Sequence, residues 1–200
     1  MSSTFFSFLA RMKYVNRWAL MRNTYEENLS THSFEVAAIA HMLSLIGNRR
    51  FGKRYNAERA AVLGLYHDMP EILTGDLPTP VKYFNKEIVN AYAAVESAAC
   101  ARLLDALPAD LRADFEPLFI KQEEDADLRR LVKAADKIAA YLKTLEERRA
   151  GNTEFLKAEE SIRDMIAAMG VAEADVFMAE FIPAYEMTLD QSVSFDGGKD

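Results

Sequence analysis

The sequence predicts an all-α protein, one domain built as a helical bundle, and three observations carry that prediction. Apolar residues recur at three- and four-residue intervals along nearly the whole chain. No segment alternates apolar and polar residues between turn signals, as a half-buried strand would. Good helix caps precede the periodic runs: Ser30 or Thr31, Asn56 and Asn85. The 200 residues suit one domain burying roughly 70% of its unfolded surface. No linker divides them, so residues 1–190 read as the domain and 191–200 as a polar tail.

The elements follow in order. Phe5, Phe6, Phe8 and Leu9 make the opening ten residues a packed helix. An irregular stretch runs from Asn16 to Asn28. A helix capped at Ser30 or Thr31 then extends to about Gly47, placing His32 in its first turn. Asn56 caps the next, whose apolar positions include Ala60, Val62, Leu63 and Leu65 and which reaches His67-Asp68. Pro70 stops or kinks it, because proline lacks the N–H and clashes with the carbonyl four residues back. A short helix over Glu71, Ile72 and Leu73 ends at Gly75. The segment from Gly75 to Pro80 reads as a rigid loop whose two prolines preclude regular helix. Asn85 opens a long helix to about Leu107, and Pro108 starts a short one ending near Pro117. Leu131, Ala135, Ile138, Leu142 and Leu145 form the apolar stripe of a helix from Asp127 to about Arg149, terminated by Gly151-Asn152. Helices over residues 153–169 and 172–189 complete the body.

Composition excludes several function classes. A net charge of −7 opposes nonspecific nucleic-acid binding, which needs a basic face to displace counterions, so no nucleic-acid partner is expected. One cysteine, Cys100, precludes an internal disulfide and fits a reducing cytoplasm; its alanine-rich surroundings predict a buried small hydrophobe. The opening apolar patch is too short for a secretory signal, and no uninterrupted apolar run approaches the roughly 20 residues that cross a bilayer. A soluble protein without a membrane partner is expected. The acidic run Glu123 to Asp127 reads as a solvated helix entry.

Chemistry concentrates in His32, His67-Asp68 and Asp136. Two of the chain's three histidines fall in this set, and with two carboxylates they can enclose one divalent ion while leaving positions for water and substrate. Manganese, cobalt, iron, nickel and zinc suit such donors, and affinity order alone favours copper. Adjacent helical residues point about 100° apart, so His67 and Asp68 share an ion only near a helix end, which Pro70 supplies. Asp136 lies among alanines that let another element or an ion approach, although it also reads as an ion pair with a neighbouring lysine. His41, nine residues after His32, falls on the opposite helix face and is not expected to ligate.

With these residues the chain resembles the HD-domain metal-dependent phosphohydrolases. The match narrows at Asn16-Arg17-Trp18, Leu20 to Asn23, Glu27-Asn28, His32-Ser33, Tyr66-His67-Asp68, Glu71, Leu73 to Asn85 and Lys133 to Leu142, where it resembles the bacterial 5'-deoxynucleotidases over nearly its full length. The resemblance implies hydrolysis of deoxyribonucleoside 5'-monophosphates by a cytoplasmic homodimer that uses one divalent metal ion. It implies His32, His67, Asp68 and Asp136 as metal ligands, with His32, Asp68 and Asp136 also touching substrate. Arg17 matches the position that orients phosphate, Trp18 the sugar pocket, and Asp76, Leu77, Pro78 and Thr79 the nucleotide-contacting loop. Glu71 matches the acidic position that assists the reacting water, so Glu71 and Arg17 are the catalytic candidates. Pro70 is a departure from the pattern, and a kink there rotates Glu71 relative to Asp68.

Outside the resemblance, Arg17 also reads as a surface ion-pair residue, Trp18 as core and Glu71 as a helix-start acid. Alternative functions are an HD phosphohydrolase acting on another nucleotide and a nonenzymatic HD-derived nucleotide-binding module.

Overall fold

A computed structural model describes residues 2–193. Among them lie eleven α-helices: α1 (Phe5–Leu9), α2 (Leu29–Arg50), α3 (Ala57–Tyr66), α4 (Glu71–Thr74), α5 (Thr79–Lys82), α6 (Lys86–Asp105), α7 (Arg112–Phe119), α8 (Ala126–Arg149), α9 (Leu156–Ala168), α10 (Ala172–Glu180) and α11 (Leu189–Ser192). The all-α class is as expected. The described residues contain no strand, only an isolated antiparallel bridge between Asn16 and Asn28.

Helices α2, α3 and α8 pack on one another and form the centre. Val36, Ile39 and Leu43 of α2 meet Ala60 and Leu63 of α3 and the α8 stripe of Leu131, Ala135, Ile138, Leu142 and Leu145, all buried. Each large aliphatic side chain there contributes about 1.5–3 kcal/mol on burial. Helices α9 and α10 flank this centre. A second cluster of Phe5, Met12, Leu29, Met69 and Leu103 ties the N-terminal segment to the site's underside. In it Phe5 is fully buried, its ring 5.0 Å from that of Phe115 in an edge-to-face pair.

Helix α2 has the length and mean hydropathy, 1.2, of a membrane-crossing segment, although polar residues such as His32 and Glu35 interrupt its apolar run as the sequence indicates. Its packing against α3, α8 and α10 gives those apolar positions a place in the core instead.

Several local expectations are corrected. The cap of α2 is Asn28, whose Oδ1 accepts from the N–H groups of Ser30 (3.0 Å) and Thr31 (3.1 Å), so Ser30 and Thr31 lie inside the helix. Val62 and Leu65 are exposed, because α3 buries only the face carrying Ala60, Leu63 and Gly64. Thr79 and Pro80, the end of the expected loop, instead open α5; Pro80 sits in its first turn, where no N–H is required. Pro117 lies inside α7 and its carbonyl accepts from Arg129 Nη2 at 2.7 Å. Asp125 is buried against Arg59 Nη2 at 2.7 Å, so one member of the acidic run is a tertiary ion-pair partner. The last body helix ends at Glu180 because Pro183 follows, and a 3₁₀ turn over Ile182–Glu186 replaces its continuation. Gln191 and Ser192 belong to α11; the rest of the expected tail, from residue 194, lies outside the described residues. Cys100 is half-buried, and burial pushes its thiol pKa up.

Candidate metal centre

Three helices and one loop converge on the site, each by a local rule. Because Asn28 caps α2, the N–H of His32 bonds to the Asn28 carbonyl at 3.1 Å, fixing His32 at the end of the first turn. The His32 ring is fully buried. Helix α3 ends at Tyr66, and the turn through residues 67–70 presents His67 and Asp68 together. His67 Nδ1 lies 2.7 Å from the Gly64 carbonyl, which can only accept, so this nitrogen carries the proton and Nε2 offers its lone pair. Asp136 sits in the middle of α8 beside Ala135 and Ala139, which have no exposure and allow α2 and α3 to come close.

His32 Nε2 stands 3.1 Å from Asp136 Oδ1 and 3.6 Å from Asp68 Oδ2, and His67 Nε2 stands 3.1 Å from Asp68 Oδ2. Donors at about 2.1 Å from one ion are separated by roughly 3.0–3.4 Å along the edges of an octahedron or tetrahedron. One donor atom from each of the four residues falls within 4.8 Å of the others, while His67 Nε2 is buried without a hydrogen bond. The donor set therefore fits one divalent transition ion. His41 is not in the cluster.

Burial alone would lift the Asp68 and Asp136 pKa values, but His67 beside Asp68, and His32 and Lys137 beside Asp136, hold both carboxylates below their usual range. Asp136 Oδ2 also takes Lys137 Nζ at 3.0 Å, so the lysine pairing and the site coexist. The carboxylates in turn raise the His67 imidazole despite its burial.

Arg17 and Trp18 come from the 15–28 loop, closed by antiparallel bonds from Arg17 N to the Glu27 carbonyl (2.9 Å) and from Leu29 N to the Val15 carbonyl (3.0 Å). Arg17 Nη1 reaches Asp68 Oδ2 at 3.2 Å, which makes it a member of the site rather than a surface ion pair. Trp18 has φ +58°, a left-handed conformation strained for a bulky residue. Its carbonyl accepts from Met21 N at 2.8 Å, and its indole packs edge-on against Phe155 at 5.3 Å. The loop is held from outside by a buried network. Glu147 accepts from Thr24 N (2.9 Å), Asn152 Nδ2 (2.8 Å) and Lys143, while Lys143 Nζ also donates to the Tyr25 carbonyl at 2.7 Å.

Pro70 leaves Glu71 close enough to Asp68 for the two carboxylates to repel. It serves as the residue before α4, and Glu71 is buried with Oε2 lacking a hydrogen bond. Burial, reinforced by repulsion from Asp68 and Asp76, pushes its carboxyl up to about 9. Gly75, at φ +74°, then turns the chain so that half-buried Asp76, Leu77 and Pro78 and exposed Thr79 follow Glu71 around the rim. Burial also raises the Asp76 carboxyl, against the pull of Arg17. Lys82 is occupied by Glu96 at 2.9 Å. A groove of about 630 Å³ opens beside His67 and Asp136, with Lys121, Arg129 and Lys133 along it.

Sequence reasoning assigned no role to Glu27, which the structure places under the site. Its signal was its place beside Asn28 among the residues that carry the family resemblance; nothing local reveals which side chains it meets.

A family model described as 5'-deoxynucleotidase YfbR-like matches residues 4–185. The chain belongs to the YfbR-like 5'-deoxynucleotidase family. It is 49% identical over 189 residues to a 5'-deoxynucleotidase of Klebsiella pneumoniae, covering 94% of this chain and 95% of that one. A Vibrio vulnificus 5'-deoxynucleotidase is also 49% identical, with 94% and 97% covered. Among solved structures, an HD-domain phosphohydrolase from Listeria innocua superposes with a TM-score of 0.77 at 21% identity, covering 94% of this chain and 91% of that one. The HD phosphohydrolase of cyanophage S-2L, bound to dA and one catalytic Zn2+ ion, gives 0.67 at 19% identity, with 94% and 100% covered. The YfbR-like family thus has, in this chain, the HD-domain fold with its His-Asp pair at the end of α3.

Proposed function

We propose that this protein hydrolyses deoxyribonucleoside 5'-monophosphates to deoxynucleosides and phosphate, using one divalent ion held by His32, His67, Asp68 and Asp136. The observation that supports it is the convergence of those four donors with Arg17, whose guanidinium stands 3.2 Å from Asp68. The names of the 49% identical relatives and the zinc and dA of the cyanophage phosphohydrolase point to the same chemistry.

When bound, the ion supplies Lewis acidity toward a phosphoryl oxygen and lowers the pKa of its water. Arg17 holds phosphate oxygens through its planar fork and offsets the charge of a net-acidic chain at the point where an anion must enter. Water attacks phosphorus as the bond to the 5'-oxygen breaks. Glu71 relays the proton, taking it from the attacking water and passing it to the departing 5'-oxygen. His32, Asp68 and Asp136 touch the bound phosphate as well as the ion.

Trp18 walls the deoxyribose, and its anchored indole supplies the rigidity that discrimination against an extra hydroxyl requires. Asp76, Leu77, Pro78 and Thr79 contact the sugar and base, with backbone groups that tolerate several bases. The active species is a cytoplasmic homodimer, which sedimentation of the purified protein tests.

The experiment incubates metal-free protein with dAMP, dGMP, dCMP, TMP and the ribonucleotides, adding Co2+, Mn2+ or Zn2+ and measuring phosphate release. Metal-dependent release from the deoxynucleotides is expected, and Asp68→Ala should abolish both release and metal retention while helicity persists. Absence of release from every monophosphate would overturn the assignment.

A further inference from the structure

We infer that Glu27 is a positioning residue: one buried carboxylate that orients the metal ligand His32, the phosphate-binding Arg17 and the sugar-walling Trp18 together. The inference deepens the function proposed above and rests on it.

Glu27 is 4% exposed, where an unpaired carboxylate would cost several kcal/mol. Its Oε2 accepts the Trp18 indole N–H at 2.6 Å and faces Arg17 Nε at 3.4 Å, and its Oε1 faces His32 Nδ1 at 3.5 Å. Arg17 Nε and His32 Nδ1 are both buried without a hydrogen bond, and Glu27 is the carboxylate that faces both. The three groups differ in task, yet each is a nitrogen presented to the same two oxygens.

For His32 the consequence is a tautomer. Its Nε2 points at Asp136 and Asp68, so as a neutral ligand the ring must carry its proton on Nδ1, directed at Glu27. A carboxylate accepting there fixes the ring and raises the basicity of Nε2. His67 obtains the same proton placement from the Gly64 carbonyl, so the two imidazoles are set by different acceptors, one charged and one neutral.

For Trp18 the bond counters strain. A tryptophan at φ +58° persists only where its surroundings hold it, and the 2.6 Å contact to Glu27 is its only side-chain hydrogen bond among the described residues. For Arg17, an acceptor at Nε holds the guanidinium from behind while its Nη1 and Nη2 face the site, Nη1 at 3.2 Å from Asp68 Oδ2.

The test uses Glu27→Gln, isosteric and uncharged, and Glu27→Asp, which keeps the charge but withdraws it by one methylene. Titrating metal-free protein with Co2+ alone should show an affinity 10–100-fold weaker in Glu27→Gln, with helicity retained. Because Trp18 is the chain's one tryptophan, its intrinsic emission reports the second arm, and a shifted emission maximum is expected in the same variant. Saturating Co2+ should then restore the occupancy of the site while leaving the emission altered and KM for a deoxynucleotide raised, a split that general loosening of the fold would not produce. If Glu27→Gln fails to fold, Glu27→Asp carries the same readings, with the same direction expected. Cobalt affinity within twofold of the unaltered chain and an unchanged Trp18 emission would overturn the inference alone. Failure of the unaltered chain to bind any transition ion would overturn the metal reading and this inference with it.

Discussion

Gly64 lies so close to α2 that a Cβ built on it would fall 2.9 Å from Ala37 Cα and 3.1 Å from Ala37 N. Those are backbone atoms, which cannot step aside as a flexible side chain can. The approach matters because Gly64 is one turn before His67 and accepts its Nδ1–H, and because it brings the two imidazole rings to 5.3 Å. The same residue sets the spacing of two helices and the orientation of one ligand.

Gly64→Ala should therefore separate α3 from α2. Overpacking of this kind costs about 1–3 kcal/mol, and the gain in helix propensity of about 1 kcal/mol offsets part of it. A net loss near 1 kcal/mol lowers Tm by about 2–4 °C in a domain of this size, and cobalt affinity should fall with it. Thermal melts with and without Co2+ check both, and an unchanged Tm would show that the contact is not tight in solution.

Glu71 is destabilising in the ion-free protein. Its carboxyl is held protonated up to about 9, whereas the unfolded chain releases that proton near 4.5. Between those values the folded state binds more protons, so its stability falls as pH rises through the window. Glu71→Gln should stabilise the metal-free protein, by on the order of 1–3 kcal/mol at pH 8 and by much less at pH 5, while phosphate release is lost. Urea unfolding at the two pH values measures the difference; equal gains at both would show that ionisation is not its origin.

Glu147 behaves in the opposite sense. Burial alone would raise its carboxyl, but the hydrogen bonds from Lys143, Thr24 and Asn152 bring it down to about 2 from an ordinary 4.5. The stability it supplies is complete above pH 4.5 and is lost as the pH falls toward 2. Glu147→Gln leaves Lys143 buried without its partner, at a cost of about 3 kcal/mol at pH 7. It should also raise KM, since Thr24 and Tyr25 anchor the loop that carries Arg17 and Trp18. The stability difference from the unaltered protein should shrink between pH 7 and pH 3 in denaturant titrations; a constant difference would locate the effect in packing instead.

The helical class, the order of the main helices and the four-donor cluster were legible in the sequence. Periodicity of the α8 stripe, caps at Asn56 and Asn85, and scarce histidines beside aspartates are local signals written in consecutive residues. Pro80 misled because proline is excluded by its missing N–H only where that donor is needed, and the first turn of α5 needs none. The cap of α2 was misplaced by two to three residues because Asn28, Ser30 and Thr31 are all competent caps, and the bridge pairing Asn16 with Asn28 favours the first.

Tertiary structure alone decided what lies behind the site. Glu27 reaches Trp18 across nine residues, His32 reaches Asp136 across 104, and Thr24 reaches Glu147 across 123. Sequence by itself named His32, His67, Asp68 and Asp136 as donors that suit one ion, because donor type and helical period are properties of the chain, whereas Arg17 as a phosphate ligand followed only from the family resemblance. Which carboxylate would orient a ligand, which would stay protonated and which would anchor a loop depended on burial and on neighbours distant in sequence, and those exist only once the helices have packed.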